Sequence, residues 1–492
     1  MHKISVRCAS LLSIAIAVSV DVLAAIKSDE KSPRIAIIGG GIAGSASAYF
    51  LRELFGKTAH IAVFEKSDRI GGRLSTLTCF GERFESGGSI IHPDNLYMRR
   101  FAELLGLEKR SVSGGRFSLF DGKSIRFSTS PTEWETSLRL FWRYGWSTVR
   151  MSWATDDLLH KFKNIYSIQG NNNAFQTVED LLQAITGDNT FYRLTQITLR
   201  EYLVEQGLSK DLIDELITAV TRINYGQNTE ISALAGMIAI AGVAFKLWAV
   251  EGGNWKVCDG LLNVTHVVVN KNVQIIDIIK EQNPADIQKP VYYLRSVNAV
   301  IDVPFDVVIM AFPLEIRENY VTCNECENWP VRRDLPTFHV TVATFVNGTP
   351  STDVFQTPSN TYGTMEEPDI FFNSIGKQSS VDKERKDIKS GNISVWKIFS
   401  RTPLTDEQKQ WLFHNHTECN EVQWLAYPHY TVPQKFLSFI LDHGVFYANA
   451  IEWAASAMEM SCLAAKNVAL LTERYLNLTK PRSREGNQHE EL

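Results

Sequence analysis

The chain has 492 residues, of which 44% are hydrophobic and 21% are charged, and its formal net charge at pH 7 is −5. This length and hydrophobic content predict a large core divided between two intertwined domains, and they exclude a disordered scaffold. The net charge argues against a nucleic acid as partner, because phosphate binding requires a basic face.

Residues 1–25 have the pattern of a secretory signal peptide. Two basic residues precede an apolar run at 8–20, and small residues follow at a predicted cleavage site near Ala24 or Ala25. The run is short for a membrane span, which leaves an uncleaved signal anchor as the alternative. Passage through the secretory route fits five N-x-S/T sequons, which are possible N-glycan acceptors: Asn263, Asn347, Asn392, Asn415 and Asn477.

Residues 34–65 have the pattern of a dinucleotide-binding unit, in which an apolar strand, a glycine turn, a helix of small residues and a second strand follow one another. Gly39 permits the tight turn, Gly41 lets backbone N–H groups approach a pyrophosphate, and Gly44 lets the helix pack closely on the strand. Glu65, at the end of the second strand, is predicted to accept a hydrogen bond from a ribose 2′-hydroxyl. The glycines alone would be compatible with a plain turn.

Two further glycine pairs favour a flavin over a nicotinamide. Gly71 and Gly72 follow the second strand and precede Arg73, whose guanidinium is predicted to neutralise the pyrophosphate. Gly87 and Gly88 are predicted to bring backbone against a flat ring. A nicotinamide site would leave the first pair and the arginine unexplained, and the alternative for them is a surface turn with a solvated arginine.

We predict an α/β fold with a Rossmann-type FAD-binding domain assembled from discontinuous segments and a mixed α+β substrate (cap) domain. A buried strand predicted at 305–313 returns to the nucleotide domain. The predicted segments are 33–108, 251–320 and 431–475 for the FAD-binding domain, 109–250 and 321–430 for the substrate domain, and 480–492 for a polar C-terminal tail.

Cys323 and Cys326 form the only close cysteine pair in the sequence. In an oxidising compartment a structural disulfide is favoured, with two free thiols, a redox centre or half a zinc site as alternatives. No second CxxC completes a zinc site, and no metal is predicted.

Five strings in the chain resemble the prenylcysteine oxidase family. They are LWAVEGGN at 247–254, VCDGLL at 257–262, VWKIFS at 395–400, WLAYPHY at 424–430 and AASAMEMS at 454–461. The similarity extends from about Arg34 to about Leu471, which is almost all of the chain after the signal peptide. The resemblance implies FAD, molecular oxygen and an S-farnesyl- or S-geranylgeranyl-cysteine substrate. It also implies free cysteine, a prenyl aldehyde and hydrogen peroxide as products.

Residues 449–453 depart from the family's usual string. Ala450 and Trp453 stand where the family has a glycine and a cysteine, and Trp453 is predicted to narrow the space that the cysteine borders. Glu452, between them, is assigned to cofactor binding. The alternative functions are a flavin amine oxidase and a catalytically silent paralogue that binds a lipid or a partner.

The candidate catalytic side chains are Lys397, His92, Tyr427 and His429. An ammonium at Lys397 is predicted to hold a water beside the flavin and to favour oxygen reduction, the alternative being a structural ion pair. Each histidine is next to a proline and is therefore also compatible with a turn-shaping role. No general base is assigned.

The segment 231–248 is the most apolar one after the signal peptide. Lys246 and internal glycines interrupt it, so we predict a buried helix of the substrate domain instead of a membrane span. Peripheral contact of the protein with lipid remains an alternative. The small residues of the segment 231–248 are predicted to leave a groove for an isoprenoid tail, with plain core packing as the alternative; they are Ala235, Gly236, Ala239 and Gly242.

The resemblance implies the lysosome as the destination of the chain. The last four residues, HEEL at 489–492, instead resemble a retrieval signal of the endoplasmic reticulum with one acid changed. The lumen of that compartment and secretion are therefore the alternatives.

Overall fold

The structure is a computed structural model of the chain. It describes residues 32–112, 115–243, 246–283, 286–315, 320–335, 337–382 and 394–478. The predicted signal peptide at 1–25, the predicted tail at 480–492 and the sequon residue Asn392 lie outside the described residues.

Within these ranges the chain forms twenty β-strands, labelled β1 to β20 in chain order. The first ten are β1 Arg34–Ile38, β2 His60–Glu65, β3 Thr76–Cys79, β4 Glu82–Glu85, β5 Lys109–Ser111, β6 Phe117–Phe120, β7 Ile125–Ser128, β8 Trp248–Val250, β9 Val268–Lys271 and β10 Ile275–Asn283. The others are β11 Asp286–Ser296, β12 Val300–Phe305, β13 Val307–Met310, β14 Phe338–Pro350, β15 Thr361–Thr364, β16 Phe372–Lys377, β17 Val395–Ser400, β18 Phe413–Pro428, β19 Ile440–Asp442 and β20 Val445–Tyr447.

The helices of the same ranges are labelled in the same way. They are α1 Ile42–Phe55, α2 Leu96–Leu104, α3 Glu133–Tyr144, α4 Ser147–Phe162, α5 Asn164–Gly170, α6 Val178–Ala184, α7 Thr190–Arg193, α8 Leu199–Glu205, α9 Lys210–Leu212, α10 Thr218–Tyr225, α11 Ala233–Ala241, α12 Trp255–Thr265, α13 Thr352–Phe355, α14 Asp406–Leu412 and α15 Met458–Leu478. A π-helical turn at Ile213–Ile217 joins α9 to α10, and 3₁₀ turns lie at Gly56–Thr58, Arg332–Asp334 and Ala448–Trp453.

The central sheet has six strands in the order β19-β20-β13-β1-β2-β9. Its neighbouring strands are parallel except for the antiparallel pair β19–β20. Ile35 of β1 pairs with Val307 of β13, and apart from Arg34 at the start of β1 both strands are built from buried apolar residues, as expected of a parallel sheet covered on both faces. The predicted return of a strand from residues 305–313 to this sheet is confirmed.

Helix α1 lies on this sheet and packs against α12 and α15. Gly44 makes the close contact possible, because a Cβ there would lie 1.9 Å from the carbonyl oxygen of Gly39 and 3.3 Å from Cγ2 of Ile37. The predicted role of Gly44 in helix–strand packing is therefore confirmed. The α/β class is confirmed as well.

A second sheet has seven strands in the order β18-β14-β17-β16-β15-β6-β7. The long strands β14 and β18 pair antiparallel from Phe338–Pro428 to Pro350–Phe413. Strands β6 and β7 come from residues 117–128 and join it through the parallel pair β15–β6. The numbered limits of the two domains stay predictions.

Helix α11 is the observed part of the apolar segment 231–248. It has nine residues, packs against α4, α8 and α10, and is almost entirely buried. No helix within the described ranges is both long and apolar enough to cross a membrane. The structure agrees with the prediction of a buried helix.

Two disulfides cross-link the described chain. Cys323 pairs with Cys326, so the favoured interpretation of that pair is confirmed. Cys79 at the end of β3 pairs with Cys419 of β18, a pairing that the sequence alone did not provide. Cys258 and Cys462 are buried free thiols, and the described residues contain no cluster of metal-ligating side chains.

Candidate active site

The turn between β1 and α1 brings the first glycines against two other parts of the chain. Gly39 has a φ of +111°, and a Cβ there would lie 2.6 Å from the carbonyl oxygen of Ala311. Gly41 directly precedes α1 and forms a backbone bridge with Gly71, while Gly72 would place a Cβ 3.3 Å from Cα of Gly41. The two predicted phosphate loops are therefore in direct contact, and glycine is favoured at Gly72, where φ is +57°.

Glu65 lies at the end of β2 beside this turn and is buried. Its Oε2 accepts from the backbone N–H of Gly40 at 2.8 Å, and its Oε1 accepts from the N–H and hydroxyl of Ser67 at 2.9 and 2.8 Å. The carboxylate thus fixes the turn and also lines the adjoining cleft. Its predicted contact with a ribose stays a prediction.

Arg73 is turned towards a carboxylate of its own chain. It forms an ion pair with Glu452, and its Nη1 donates to the carbonyl of Ala426 at 2.9 Å. Burial is the largest single effect on the pKa of Arg73 and acts to lower it, but the charge and hydrogen bond of Glu452, together with two nearby tyrosines, outweigh burial and the pKa is raised. Glu452 also accepts from Asn449 at 3.0 Å and from Ser456 at 2.7 Å. Arg73 and Glu452, which were both predicted to bind the cofactor, thus belong to one polar cluster in which Glu452 is buried and Arg73 is partly exposed.

A cleft of about 500 Å³ runs along these loops. It is lined by the glycines of both loops, by Ile42 and Ala43 at the start of α1, and by Asn449. The first N–H groups of a helix have no partner within the helix and favour an anion. The Oδ1 of Asn449 is buried in the cleft wall without a hydrogen-bond partner in the structure. These features fit a bound dinucleotide.

Gly87 and Gly88 lie where this cleft meets a second cavity. A Cβ on Gly87 would lie 1.8 Å from the carbonyl oxygen of Arg73, and one on Gly88 would lie 2.8 Å from a methyl group of Leu74. The second cavity has a volume of about 470 Å³. The residues that line both spaces are Gly87, Gly88, Tyr427, Ser456, Ala457 and Met458.

The second cavity is lined mainly by apolar side chains from the helices. Those residues include Leu158, Phe162, Phe191, Leu234, Met237, Ile238 and Ala239. Of the predicted groove, Ala239 and Gly242 line the cavity but Ala235 and Gly236 do not. Gly236 instead meets Leu199, because a Cβ there would lie 2.5 Å from a Leu199 methyl group. The groove prediction is not supported for these two residues, and Gly236 faces α8.

Lys397 is a buried side chain of β17 that lines this cavity. Its Nζ donates to the backbone carbonyl of Glu85 at 3.3 Å and lies 4.8 Å from the ring centre of Phe399. Burial lowers the pKa of Lys397 to about 8, although the charge of Glu85 acts in the opposite direction. The structure therefore places an ammonium that titrates close to neutral pH in the cavity wall.

Glu85 is a site residue to which the sequence analysis gave no role. It is buried in the same wall, where its Oε1 accepts from the N–H of Asn254 at 2.7 Å and its Oε2 has no hydrogen-bond partner in the structure. Burial raises its pKa to about 7, against opposing effects of Asn254, Arg110 and Lys397. The available signal was an acidic residue two positions before the glycine pair Gly87–Gly88.

The remaining predicted catalytic residues divide into two groups. His92 and Tyr427 line the cavity; burial lowers the pKa of His92 and raises that of Tyr427 to about 12. His429 lines neither space and has its Nδ1 2.6 Å from Nε2 of His339. The structure thus separates His429 from the candidate site: β18 ends at Pro428, and His429 beyond it contacts His339 instead of either cavity.

Comparison with known proteins places this geometry in a family. The model of the prenylcysteine lyase family matches residues 127–483, and a model of an NAD(P)-binding Rossmann-like domain matches residues 37–105. Prenylcysteine oxidase 1 of Mus musculus is 39% identical over 89% of this chain and 88% of its own length. The chain belongs to the prenylcysteine oxidase family. The human protein named prenylcysteine oxidase 1-like is 34% identical, over 91% of this chain and 92% of its own length.

Solved structures share the fold at low identity. Cyclohexylamine oxidase from Brevibacterium oxydans matches with a TM-score of 0.58 and 15% identity, over 91% of this chain and 100% of the other. A fatty acid isomerase from P. acnes matches with a TM-score of 0.59 and 16% identity, over 90% and 99%. These similarities concern the fold alone.

The two departures from the family string lie away from both cavities. Trp453 is fully buried, packs edge-to-face on Phe338 with ring centres 5.2 Å apart, and lines neither cavity. Ala450 is fully buried in the 3₁₀ turn at Ala448–Trp453 and also lines neither. In this structure Trp453 does not narrow the second cavity, so the prediction that it would do so is not supported.

Proposed function

We propose that this chain is an FAD-dependent oxidase that cleaves the thioether of S-prenyl-L-cysteine. One thioether, one molecule of oxygen and one of water would give a prenyl aldehyde, free cysteine and hydrogen peroxide. The observation that carries the proposal is the contact between two spaces. The second cavity, which we call the apolar cavity, meets the cleft along the glycine loops, which we call the dinucleotide cleft, at Gly87, Gly88 and Tyr427. Membership of the prenylcysteine oxidase family supports it independently.

The apolar cavity suits the prenyl tail. Burial of each CH2 group contributes about 0.8 kcal/mol, so a fifteen-carbon chain could supply most of the binding energy without polar contacts. The wall formed by Leu234, Met237 and Ile238 offers such a surface. We propose that the tail lies along this wall and that the sulfur-bound carbon lies at the junction with the dinucleotide cleft.

The flavin, when bound, would supply the acceptor for the hydride of the sulfur-bound carbon. Sulfur and the allylic double bond both delocalise positive charge at that carbon, so the hydride can leave without an acid or a base from the protein. Its task is to orient the substrate, exclude bulk water and hold protons. Gly87 and Gly88 admit close approach because they have no side chains.

Lys397 and Glu85 are the side chains that we assign to proton handling. Lys397 would hold a water molecule and offer positive charge where oxygen is reduced. Glu85 has a free Oε2 in the cavity wall and a pKa raised by burial to about 7, so it can accept a proton from the attacking water near neutral pH. Tyr427, at the junction of the two spaces, would position the substrate.

The loops around α1 would hold the cofactor. Gly39, Gly41 and the start of α1 would face the pyrophosphate, with Glu65 towards the ribose. Arg73 would act through its ion pair with Glu452, which orders the backbone next to the cleft.

We also propose passage through the secretory pathway, with the lysosome as destination. The Cys79–Cys419 disulfide supports an oxidising compartment. Of the described sequon residues, Asn263, Asn415 and Asn477 are exposed, whereas Asn347 is partly buried and accepts from the N–H of Ser394 at 2.8 Å. The three exposed asparagines are the better candidates for glycans.

An anaerobic titration with S-farnesylcysteine tests the proposal. The purified protein should show an oxidised flavin absorbance that bleaches on addition of the thioether and returns, with release of peroxide, when air is admitted. A flavin that is present but is reduced only by amines would favour an amine oxidase. A flavin that is reduced by neither substrate would indicate a silent paralogue.

A further inference from the structure

Arg110 is a cavity residue to which neither the sequence patterns nor the proposed function give a role. It is the middle residue of β5, where it pairs with Ala249 of β8. Its neighbours Lys109 and Ser111 are exposed, whereas Arg110 is partly buried and lines the apolar cavity. This alternation is expected of a strand, because successive side chains point to opposite faces. The strand therefore directs a guanidinium towards the cavity.

The guanidinium of Arg110 has no polar partner among the residues that the structure describes. Its Nε is buried without a hydrogen bond, and its other nitrogen atoms form neither a hydrogen bond nor an ion pair with those residues. Glu85 is close enough for the charge of Arg110 to act on its pKa, yet the two side chains are not ion-paired. A buried donor without an acceptor is destabilising, and an anion in the cavity would satisfy it.

The charges that line the cavity have a surplus of positive sign. The cations among the lining residues are Arg110, Lys163, Lys377 and Lys397, and the carboxyl groups are those of Glu85, Asp94 and Glu459. Lys163 and Asp94 neutralise each other in an ion pair of 3.0 Å. Burial raises the pKa of Glu85 and that of Glu459 to about 7, so both carboxyl groups are partly protonated near neutral pH. Burial lowers the pKa of His92, which favours its uncharged form. The cavity therefore favours a ligand that joins an anionic group to an apolar tail.

The position of Arg110 suits an anionic group that lies close to the reacting carbon. Arg110 acts electrostatically on Glu85, and only two residues separate Glu85 from the junction glycines Gly87 and Gly88. In S-prenylcysteine, sulfur and two carbon atoms separate the carboxylate from the carbon that loses the hydride. With that carbon at the junction, the carboxylate must remain nearby, while the tail extends into the apolar part of the cavity.

We propose that Arg110 binds the α-carboxylate of the cysteine thioether and thereby selects substrates with a free carboxyl group. A guanidinium offers two parallel N–H donors that match a carboxylate. The carboxyl groups of Glu85 and Asp94 in the same walls disfavour a more highly charged anion, such as a diphosphate. The identity of the ligand rests on the proposed function, whereas the preference for a carboxylate can be measured without any reaction.

Binding of saturated thioethers to the flavin-loaded protein tests the proposal. S-decylcysteine lacks the allylic double bond that activates the sulfur-bound carbon, and S-decylcysteinamide replaces its carboxylate by an uncharged amide of similar shape. In calorimetric titrations the wild type should bind the acid about tenfold or more tightly than the amide, because a charge-assisted hydrogen bond is lost with the amide. Arg110→Met should bind the acid and the amide alike. Arg110→Lys, which keeps a charge beside Glu85, should lower the preference, because a lysine cannot donate two parallel N–H bonds.

The matched control is Lys109→Met, which removes the adjacent exposed cation of β5. Its preference for the acid, its thermal melting and its flavin absorbance should equal those of the wild type. Equal affinity of the wild type for acid and amide would overturn the proposal, and so would an unchanged preference in either Arg110 variant. Tighter binding of farnesyl diphosphate than of S-decylcysteine would also overturn it.

Two further outcomes separate this proposal from neighbouring explanations. If Arg110→Met binds the acid and the amide equally more weakly and keeps the wild-type preference, Arg110 serves to balance Glu85 and the proposal fails. If the wild type prefers the acid but oxidises no S-prenylcysteine, the proposed function fails and the role of Arg110 in binding a carboxylate stands.

Discussion

The dinucleotide cleft and the apolar cavity differ in what builds them. The cleft is shaped by backbone: Gly39 and Gly87 would clash if they carried a Cβ, and the start of α1 lines the cleft. The cavity is shaped by side chains that come from α4, α11, β17 and the loops around them. A site built from backbone at fixed spacing leaves a local signature in the sequence. A site built from scattered side chains has no such signature, and each residue in it can change more freely.

The largest effect should come from breaking the backbone of the cleft. In Gly44→Ala the new Cβ would lie 1.9 Å from the carbonyl oxygen of Gly39, so α1 must move away from β1. We expect destabilisation by about 3 kcal/mol, as for an overpacked core, together with loss of bound flavin. The ratio of flavin absorbance to protein concentration measures the bound flavin, and urea unfolding measures the destabilisation. The control Gly170→Ala, where a Cβ meets nothing within 4 Å, should keep its flavin. Retention of flavin by both variants would contradict the prediction that close backbone packing at Gly44 shapes the cleft.

The next effect concerns the buried carboxyl group of the cavity. Burial raises the pKa of Glu85 from 4.5 to about 7, so the folded state prefers the protonated form. That preference stabilises the fold fully below pH 4.5 and is lost as the pH rises through about 7, a difference of about 3 kcal/mol. Glu85→Gln should remove this part of the decline in unfolding free energy. Urea unfolding between pH 4.5 and 8 measures the loss of unfolding free energy, with Glu103→Gln as an exposed control. If Glu85→Gln shows the same loss as the wild type, Glu85 is not its source.

Lys397 should affect the reaction with oxygen more than the binding of substrate. We expect Lys397→Met to retain flavin and to react with oxygen about 100-fold more slowly, because a positioned charge is lost. In the wild type the same rate should fall as the pH rises through about 8, where the ammonium of Lys397 deprotonates. Stopped-flow reoxidation measures both rates, and Lys435→Met, at an exposed lysine, is the control. A rate in Lys397→Met that retains the wild-type pH dependence would count against this role.

The smallest of these effects should come from filling the apolar cavity. Ala239→Phe would occupy space equivalent to about three CH2 groups of a prenyl tail, which corresponds to about 2.4 kcal/mol or about 60-fold in kcat/KM. Flavin content should not change, because Ala239 lines only the apolar cavity. Steady-state kinetics with S-farnesylcysteine test this, and Val204→Phe on the surface is the control. Unchanged kcat/KM in Ala239→Phe would mean that the tail binds elsewhere.

The sequence predicted the parts of the molecule that depend on local spacing. The turn at Gly39, Gly41 and Gly44 and the return of β13 to the central sheet follow from short patterns of glycine and buried apolar residues. The CxxC disulfide is local as well. Periodicity and turn chemistry describe neighbours along the chain, which is why these predictions succeed.

The contacts that the sequence did not predict join distant residues. Arg73 and Glu452 meet across a separation of more than 370 positions, and Glu85 became a candidate only when burial of its carboxyl group was visible. His429 shares a short string with Tyr427, yet only Tyr427 lines the two cavities, and His429 lies beyond the end of β18. The ends of strands and the burial of side chains determine which of these residues meet. Neither follows from short sequence motifs.

The Cys79–Cys419 disulfide closes a covalent ring through most of the chain, since its cysteines are 340 residues apart. A protease that cuts one peptide bond inside this ring opens it without releasing a fragment, because both pieces remain joined through the two sulfur atoms. In a compartment rich in proteases, the chain can therefore be nicked once and still hold its two largest sheets together. Turnover of the protein then requires either a second cut within the ring or a reductant.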